Sequence, residues 1–232
     1  GGVSYNSTGG KFAGAYKFDR TNDFVNTTFN TYLRNWSVSV WVKGAESPKT
    51  SCGGSSTCYG PVLHYDNNFK MWWDMTETYL QGSMELRAGG NFVYASFGTL
   101  EADRWYHLTA TYDGNDLRAY KNGVLTFIND TPNNSAPDTS NFALTVARDS
   151  NPANSGNYYY FNGTIDEVAI WNRSLSYSDV RDIYRLKVGK YYWKVNVTDQ
   201  AGLNNESETR EFIIGDSISP IVNLFSPSNG VI

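Results

Sequence analysis

Residues 37–43 read SVSVWVK and decide the fold class, because apolar and polar side chains alternate along them. Val38, Val40 and Val42 share one phase, and alternate residues of a β-strand point to the same face of a sheet. The same period of two recurs later, at residues 108–112, 142–146 and 163–172. Short strands of this kind, separated by turn residues, predict an all-β fold.

A hairpin and one helix complete this outline. Asn122-Gly123, within AYKNGVLTF, predicts a tight hairpin, because both turn residues tolerate a positive φ. Residues 176–187 (SYSDVRDIYRLK) predict a short helix, in which Ser176 and Asp179 resemble a capping box and the apolar residues form one stripe. Many strands with a single late helix are typical of a β-sandwich or jelly roll.

The composition changes after residue 188, and we predict a domain boundary there, between residues 1–188 and 189–232. Residues 191–198 and 208–214 alternate again and predict one β-hairpin, followed by an extended tail. Two strands alone cannot hold a core in water. The hairpin is therefore expected to dock on the first domain, on a partner or on further chain.

The composition excludes several classes of protein. The 232 residues are 40% hydrophobic and 16% aromatic, which is too much apolar surface for an intrinsically disordered chain. The net charge is −4, so no basic surface for nucleic acid is expected. The sequence has no run of about 18 apolar residues, which is the length needed to span a bilayer. A chain of this length can bury one substantial core.

Cys52 and Cys58 lie in a loop rich in Gly and Ser (SCGGSSTC). The five residues between them suit a small loop closed by a disulfide, which indicates an oxidising compartment. The alternative is a pair of metal thiolates, which is disfavoured because neither His nor further Cys is nearby.

Asparagine sequons point to the same compartment. Nine Asn-x-Ser/Thr triplets occur, where the composition predicts about four by chance, so chance accounts for about half of them. We expect glycosylation and an extracellular or cell-surface location. The sequons begin at Asn6, Asn26, Asn35, Asn129, Asn133, Asn162, Asn172, Asn196 and Asn205.

Five stretches carry a family resemblance: residues 14–25 (GAYKFDRTNDFV), 36–43 (WSVSVWVK), 105–114 (WYHLTATYDG), 117–124 (LRAYKNGV) and 161–175 (FNGTIDEVAIWNRSL). In this order and spacing they resemble the laminin-G-like branch of the concanavalin A-like jelly rolls. The resemblance implies a jelly-roll sandwich over residues 1–188. It also implies binding of glycans or proteins on extracellular multidomain chains and, in some members, calcium.

The hairpin that follows resembles the last two strands of an immunoglobulin-like repeat of microbial surface proteins. The tail (SISPIVNLFSPSNGVI) resembles the first strand of the next repeat. This shorter resemblance implies a partial immunoglobulin-like segment over residues 189–232 and a larger surface protein around it.

The sequence offers no catalytic constellation, and we expect no enzyme activity. Glycosidases with the concanavalin A-like fold, which this sequence resembles, carry closely spaced acidic residues in an E-x-D-x-E pattern. In this sequence the acidic residues Glu77, Glu85 and Glu101 are scattered. Asp166 and its neighbour point to opposite faces of a strand, so they cannot flank one glycosidic bond. The resemblance places His107 at a structural position.

Asp166 is the principal candidate for a metal ligand. Strand alternation in IDEVAIW puts it in phase with Val168 and Ile170, and an unpaired carboxylate on an apolar face is costly. Asp166 either binds a calcium ion or accepts backbone N–H groups of the N-terminal loop, and both alternatives stay open. The resemblance implies Asp19 as the second ligand, because the first and last strands of such jelly rolls are commonly neighbours.

Aromatic residues are the candidates for ligand binding. Trp72 and Trp73 point to opposite faces of one strand, so one of them is expected in the core. Tyr158 and Tyr159 raise the same question. An exposed ring could stack on a sugar, whereas ordinary sandwich packing is the alternative for each of them.

We therefore expect a non-catalytic binding or adhesion module of a larger extracellular protein, with a glycan or a surface protein as its partner. The alternative is a structural subunit of a surface layer or filament, which assembles with neighbouring copies through its C-terminal strands.

Overall fold

The computed structural model describes residues 3–12, 14–45, 58–75, 80–130, 135–151, 160–185, 189–194, 196–198 and 204–214. For some of these residues the structure describes only the backbone, namely residues 58, 189–191, 193, 196–198, 204–205 and 212–214. Within these ranges no helix has the length and apolar character needed to cross a membrane.

Thirteen strands of the described chain form two antiparallel sheets. In chain order they are β1 (Ser4–Asn6), β2 (Ala15–Asp19), β3 (Val25–Asn26), β4 (Trp36–Gly44), β5 (Cys58–Tyr65), β6 (Phe69–Met75), β7 (Leu80–Ala88), β8 (Asn91–Leu100), β9 (Tyr106–Tyr112), β10 (Leu117–Lys121), β11 (Val124–Asn129), β12 (Thr145–Val146) and β13 (Asn162–Trp171). The seven-stranded sheet has the order β1-β2-β13-β4-β9-β10-β11, and the six-stranded sheet the order β3-β12-β5-β6-β7-β8. The predicted all-β jelly-roll sandwich is confirmed.

The core lies between the two sheets. Val38, Val40 and Val42 project into it from β4, as their alternation predicts, and each is fully buried. From the facing sheet, Trp73 and Phe97 enter the same core. Because successive residues of a strand point to opposite sides, each sheet also has an outer face, which points away from the core.

The turn between β10 and β11 is the predicted hairpin. Asn122 and Gly123 have φ values of 53° and 75°, as a tight turn with two left-handed residues requires. The side-chain oxygen of Asn122 also accepts a hydrogen bond from the backbone N–H of His107 at 2.9 Å. This contact ties the turn to the neighbouring strand β9.

The helix α1 (Tyr177–Arg185) packs on the outer face of the seven-stranded sheet. Its N-terminus has the predicted capping box: the Asp179 N–H donates to Ser176 Oγ at 3.2 Å, and the Ser176 N–H donates to Asp179 Oδ2 at 3.0 Å. Near its other end, the ring of Tyr184 stacks on Trp41 with 5.7 Å between centroids. The predicted residues 186 and 187 lie outside the described ranges.

The predicted C-terminal hairpin is confirmed. β14 (Gly189–Trp193) pairs with β17 (Arg210–Ile214), and β15 (Asn196–Thr198) pairs with β16 (Asn204–Glu206). Both pairs are two-stranded sheets separate from the sandwich. The second half of the hairpin comprises β16 and β17, and it begins at residue 204, earlier than the predicted residue 208. The predicted extended tail lies outside the described ranges.

Candidate functional site

The outer face of the six-stranded sheet carries a continuous set of polar side chains on two neighbouring strands. On β7, Gln81, Ser83, Glu85 and Arg87 alternate with buried residues and therefore all point outward. The neighbouring strand β6 contributes to the same face, and its outward residues are Lys70, Trp72 and Asp74. We call this surface the polar face.

Two half-exposed tyrosines stand on opposite sides of the polar face. Tyr59 on β5 is 45% exposed, and its ring meets the edge of Trp72 at 5.5 Å between centroids. Tyr94 on β8 is 52% exposed and stacks on Phe92 at 6.4 Å. β5 and β8 are three strand spacings apart, or about 14 Å across the strands. The polar face is therefore a surface with aromatic rings at both sides.

Charge on the polar face is held by internal pairs. Lys70 Nζ lies 2.7 Å from Glu85 Oε1 on the adjacent strand. Asp74 is buried, and its Oδ2 accepts a hydrogen bond from Ser83 Oγ at 2.5 Å. Burial raises the pKa of Asp74 to about 7, and the negative charge of Glu85 contributes to the same shift. Asp74 thus takes up or releases its proton near neutral pH.

His64, on β5, fixes a loop at the edge of the polar face. The Ser150 N–H donates to His64 Nδ1 at 3.0 Å, so Nδ1 is an acceptor and the proton lies on Nε2. His64 Nε2 faces Asp149 Oδ2 at 3.5 Å. Burial, together with the charge of Lys70, lowers the pKa of His64 well below its usual value. The imidazole is therefore neutral, and it positions residues 149 and 150.

The two predicted ligand-binding tryptophans separate as their alternation implies. Trp72 lies on the polar face, but it is only 9% exposed beneath its neighbours. Trp73 is 1% exposed and packs in the core against Tyr106 and Phe161. The ring also fills the space beside Gly44, where a Cβ atom would lie 2.4 Å from it. Trp73 is thus a core residue, and its prediction as a ligand-binding residue is wrong.

Tyr158 and Tyr159, the other predicted ligand-binding residues, lie outside the described ranges, as does Cys52. Cys58 is the first residue of β5, and only its backbone is described. Binding by the two tyrosines and the Cys52–Cys58 disulfide therefore stay predictions.

Asp166 does not share a face with Val168 and Ile170, contrary to the prediction from alternation. β13 has a bulge between Asp166 and Ala169, where Glu167 has a φ of 50°. The extra residue changes the phase of alternation, so Val168 and Ile170 pack against the core while Asp166 lies on the outer side. A bulge of this kind has no clear signature in the sequence.

The carboxylate of Asp166 accepts backbone hydrogen bonds. Its Oδ2 accepts from the Lys11 N–H at 2.8 Å, and its Oδ1 accepts from the Glu167 N–H at 2.9 Å. The first contact joins β13 to the N-terminal loop, as the second interpretation of Asp166 predicts. Hydrogen bonds of this kind stabilise the charged form of a carboxylate.

The structure does not bring the two predicted calcium ligands together. Asp19 lies opposite Asn162, whereas Asp166 is four residues further along β13, or about 13 Å away. Ligand oxygens lie within about 2.6 Å of a calcium ion, so one ion cannot bind both carboxylates. In the described ranges no group of three or more His, Cys, Asp and Glu residues could hold a metal ion. Calcium binding at either carboxylate alone stays a prediction.

The predicted sequons differ in accessibility. Those with an exposed asparagine are Asn6, Asn26, Asn35 and Asn172. Asn129 and Asn162 are half-buried, and Asn129 Nδ2 donates a hydrogen bond to the Tyr94 carbonyl at 2.8 Å. Asn133 lies outside the described ranges, and Asn196 and Asn205 are described by their backbone alone.

Tyr59, Asp74, Glu85 and Tyr94 are the site residues that the sequence analysis missed. The signal that could have identified them is the alternation of residues 80–88 (LQGSMELRA), in which every second residue is polar. Applied to neighbouring strands, the same rule places their outward residues on one face. In the sequence alone, Glu85 is one of three scattered acidic residues.

Comparisons with known proteins agree with this architecture. Residues 19–181 match the sequence profile of the concanavalin A-like lectin/glucanases superfamily, which is more than two thirds of the chain. A search of curated proteins finds no match.

Several solved structures share the fold. Domain 4 of a GH43 extracellular arabinanase from Geobacillus stearothermophilus, solved in complex with arabinotriose, has a TM-score of 0.54 and 20% identity; the alignment covers 80% of this chain and 82% of that one. A heptameric SAP-like pentraxin from Limulus polyphemus has a TM-score of 0.53 and 13% identity over 72% and 80% of the two chains. The binding domain of botulinum neurotoxin serotype G has a TM-score of 0.57 and 13% identity over 88% and 58%. At these identities the likeness concerns the fold alone.

Proposed function

The chain belongs to the concanavalin A-like lectin/glucanases superfamily, and on this premise we propose that it is a non-catalytic carbohydrate-binding module of a larger extracellular protein. The polar face is the proposed binding surface. The observation that carries the proposal is the pair of half-exposed rings, Tyr59 and Tyr94, on either side of a row of polar side chains.

This arrangement matches the chemistry of a sugar chain. Each sugar ring has an apolar face, which packs on aromatic rings, and hydroxyl groups, which need hydrogen-bonding partners. On the polar face, Tyr59 and Tyr94 offer ring surface, whereas Gln81, Ser83 and the Lys70–Glu85 pair offer polar atoms between them. The similar arabinanase domain, which was solved with arabinotriose, supports the choice of a glycan over a protein.

The positions of the acidic residues support binding without catalysis. A glycosidase needs two carboxyl groups about 5–10 Å apart on either side of the scissile bond. Asp74 lies opposite Gln81, and Glu85 is four residues further along β7, so their Cα atoms are about 14 Å apart. Ser83 and Lys70 hold the two carboxyl groups in place. Neither group is arranged to attack or protonate a glycosidic oxygen.

The extracellular location rests on the sequons and on the Cys52–Cys58 pair. Four sequon asparagines have exposed side chains, and exposure is what a glycosyltransferase requires. The larger surface protein rests on the hairpin of β14–β17, which we interpret as part of an immunoglobulin-like repeat. Adhesion to a glycan-bearing surface would follow from both.

A second candidate function is that of a structural subunit which assembles through its C-terminal strands. The observation in its favour is that β14–β17 pair only with each other among the described strands. Such a ribbon is marginally stable alone and gains stability from a neighbour. In this case the isolated protein would form polymers, whereas a binding module would not.

The proposed binding surface is tested by glycan-array screening, followed by calorimetry with the best neutral oligosaccharide. Tyr59→Ala and Tyr94→Ala should each weaken binding about tenfold, since loss of an aromatic contact costs about 1–2 kcal/mol. Tyr32→Ala is the matched control, because Tyr32 is 46% exposed and lies in the loop before β4. Equal affinity of all three variants, or no glycan bound by the wild type, would reject the proposal.

A further inference from the structure

Phe92 is a third half-exposed aromatic ring on the polar face. In the pairing of β7 with β8, Phe92 lies opposite Arg87. Arg87 points outward from β7, and residues that lie directly opposite each other in paired strands share a face. Phe92 therefore points outward beside Tyr94, and each of the two side chains is 52% exposed.

Tyr59, Tyr94 and Phe92 follow one path across the polar face. Tyr59 lies opposite Asp74 on β6, whereas the row of Tyr94 meets β6 at Lys70. Lys70 is four residues from Asp74, so Tyr94 lies about 13 Å further along the strands than Tyr59. Phe92 lies two residues beyond Tyr94, or about 7 Å further in the same direction. The path therefore crosses the sheet diagonally and then continues along β8.

The ring of Phe92 is held in place although half of it is exposed. It stacks on Tyr94 with 6.4 Å between centroids and 26° between the ring planes. Lys70 Nζ lies 5.7 Å from the centroid of Phe92, and Arg87 Cζ lies 5.3 Å from it. Such cation–π contacts attract each cation to the ring. A ring that is already positioned loses little freedom when a ligand packs on it.

The two basic groups near Phe92 are neutralised by carboxylates. Lys70 Nζ lies 2.7 Å from Glu85 Oε1, and Arg87 Nε lies 3.1 Å from Asp138 Oδ2. Asp74 adds a further carboxyl group to the same face. An anionic sugar would therefore find no unpaired cation among these residues, whereas an uncharged sugar needs none.

We propose that Tyr59, Tyr94 and Phe92 together bind one uncharged, linear oligosaccharide of at least three sugar units. The inference rests on the proposed function; it names the class of glycan and adds Phe92 to the binding residues. A sugar ring is about as wide as a phenyl ring, so each sugar covers one aromatic ring. The path from Tyr59 to Phe92 spans about 24 Å between Cα atoms, and only an extended chain reaches both ends.

Titration calorimetry with sugar chains of increasing length tests the proposal. The probes are cello-, xylo-, malto- and arabino-oligosaccharides, each as the di-, tetra- and hexasaccharide. At least one series should bind, its affinity should rise with length, and one hexasaccharide should bind per protein chain. Hexagalacturonate, an anionic chain of the same length, should bind at least tenfold more weakly than the best neutral hexasaccharide.

Phe92→Ala should weaken binding of that hexasaccharide about tenfold, because one aromatic contact is lost. Tyr177→Ala is the matched control. Tyr177 is also 52% exposed and stacks on a neighbouring ring, that of Tyr120, at 6.4 Å and 27°. It lies on α1, on the outer face of the other sheet, so its loss should leave the affinity unchanged. Near-ultraviolet circular dichroism shows whether each variant keeps its tertiary packing.

Several results would overturn the inference: no binding in any series, equal affinity for di- and hexasaccharide, two hexasaccharides per chain, or tighter binding of hexagalacturonate. Equal affinity of Phe92→Ala and the wild type would also overturn it. If Tyr59→Ala and Tyr94→Ala still weaken glycan binding in that case, the proposed function stands without Phe92. If these two variants also bind like the wild type, the proposed function fails as well.

Discussion

The two outer faces of the sandwich are covered in different ways. On the seven-stranded sheet, Trp41 is enclosed by Phe12, by His107 and by Tyr184 of the helix α1, and Lys11 Nζ lies 4.4 Å from its ring centroid. On the six-stranded sheet, polar side chains bind one another between the half-exposed Tyr59 and Tyr94. One outer face has become a second small core, whereas the other remains accessible at its sides.

This difference shows why strand alternation alone does not separate structural from functional residues. Trp41 and Trp72 both point outward from a sheet. The helix α1 covers Trp41, whereas Tyr59, the ring beside Trp72, is half-exposed. The covered face contributes apolar burial to stability. The polar face contributes less, because its groups exchange hydrogen bonds with water for hydrogen bonds with each other.

The largest expected effect is on the covered face. Trp41→Ala should lower the free energy of unfolding by about 3–5 kcal/mol, because a large buried side chain is lost and α1 loses its contact through Tyr184. Denaturation in urea measures this value. Tyr59→Ala, on the polar face, is the comparison and should cost less than about 1 kcal/mol. Similar losses in the two variants would contradict the difference between the faces.

The second prediction concerns the pH dependence of stability, and it tests the polar face through Asp74. Its pKa is about 7 in the folded protein and near 3.8 in the unfolded chain, so the folded state holds the proton more tightly. The stability that Asp74 contributes is present below pH 3.8 and is lost as the pH rises to about 7. Asp74→Asn should remove this loss and make the protein more stable than the wild type at pH 8, by about 2–4 kcal/mol.

Thermal and urea unfolding of both proteins between pH 4 and 8 check this result. Burial lowers the pKa of His64 and of His107, that of His107 to about 4, so these groups make stability fall as the pH drops below 6.5. They act alike in both proteins, and the difference between the two curves isolates Asp74. A difference that does not grow with pH would mean that Asp74 is ionised in the folded protein throughout.

The sequence predicts the fold well because alternation is a local property. The strand β4, the Asn122-Gly123 turn and the capping box of Ser176 and Asp179 each depend on neighbouring residues alone, and each is found. The site depends on register between strands. Lys70 lies opposite Glu85 only because β6 and β7 pair in one particular register, which neither segment specifies alone.

Asp166 shows the same limit at a single residue. The alternation of IDEVAIW predicts a carboxylate on an apolar face, but the bulge at Glu167 turns it outward. A bulge is an extra residue in one strand relative to its partner strand, so a pattern along one strand does not reveal it. The partner of Asp166 is a backbone N–H of residue 11, and no residue type signals such a partner.

The third prediction concerns Asp166, which lies on the covered outer face of the seven-stranded sheet. Asp166→Asn should lower the free energy of unfolding by about 1 kcal/mol, because the amide is a weaker acceptor for the Lys11 N–H than the carboxylate. Denaturation with 2 mM calcium and with chelator measures the metal response. We expect no response that depends on an ion shared with Asp19, because Asp19 is too distant from Asp166. A calcium response that Asp166→Asn abolishes would restore the metal interpretation.

The smallest expected effect is that of removing the C-terminal hairpin, which tests whether the hairpin covers either face. A chain that ends at residue 188 keeps both sheets and α1, and β14–β17 pair only among themselves in the described structure. The thermal midpoint should therefore change by less than about 2 °C, which corresponds to less than about 1 kcal/mol for a domain of this size. Glycan affinity at Tyr59 and Tyr94 should stay the same.

Tyr192→Ala in the full chain is the control, because Tyr192 is 63% exposed and its loss removes little packing. A fall of more than about 6 °C on truncation would mean that the hairpin belongs to the first domain, and a loss of glycan binding alone would place it against the polar face.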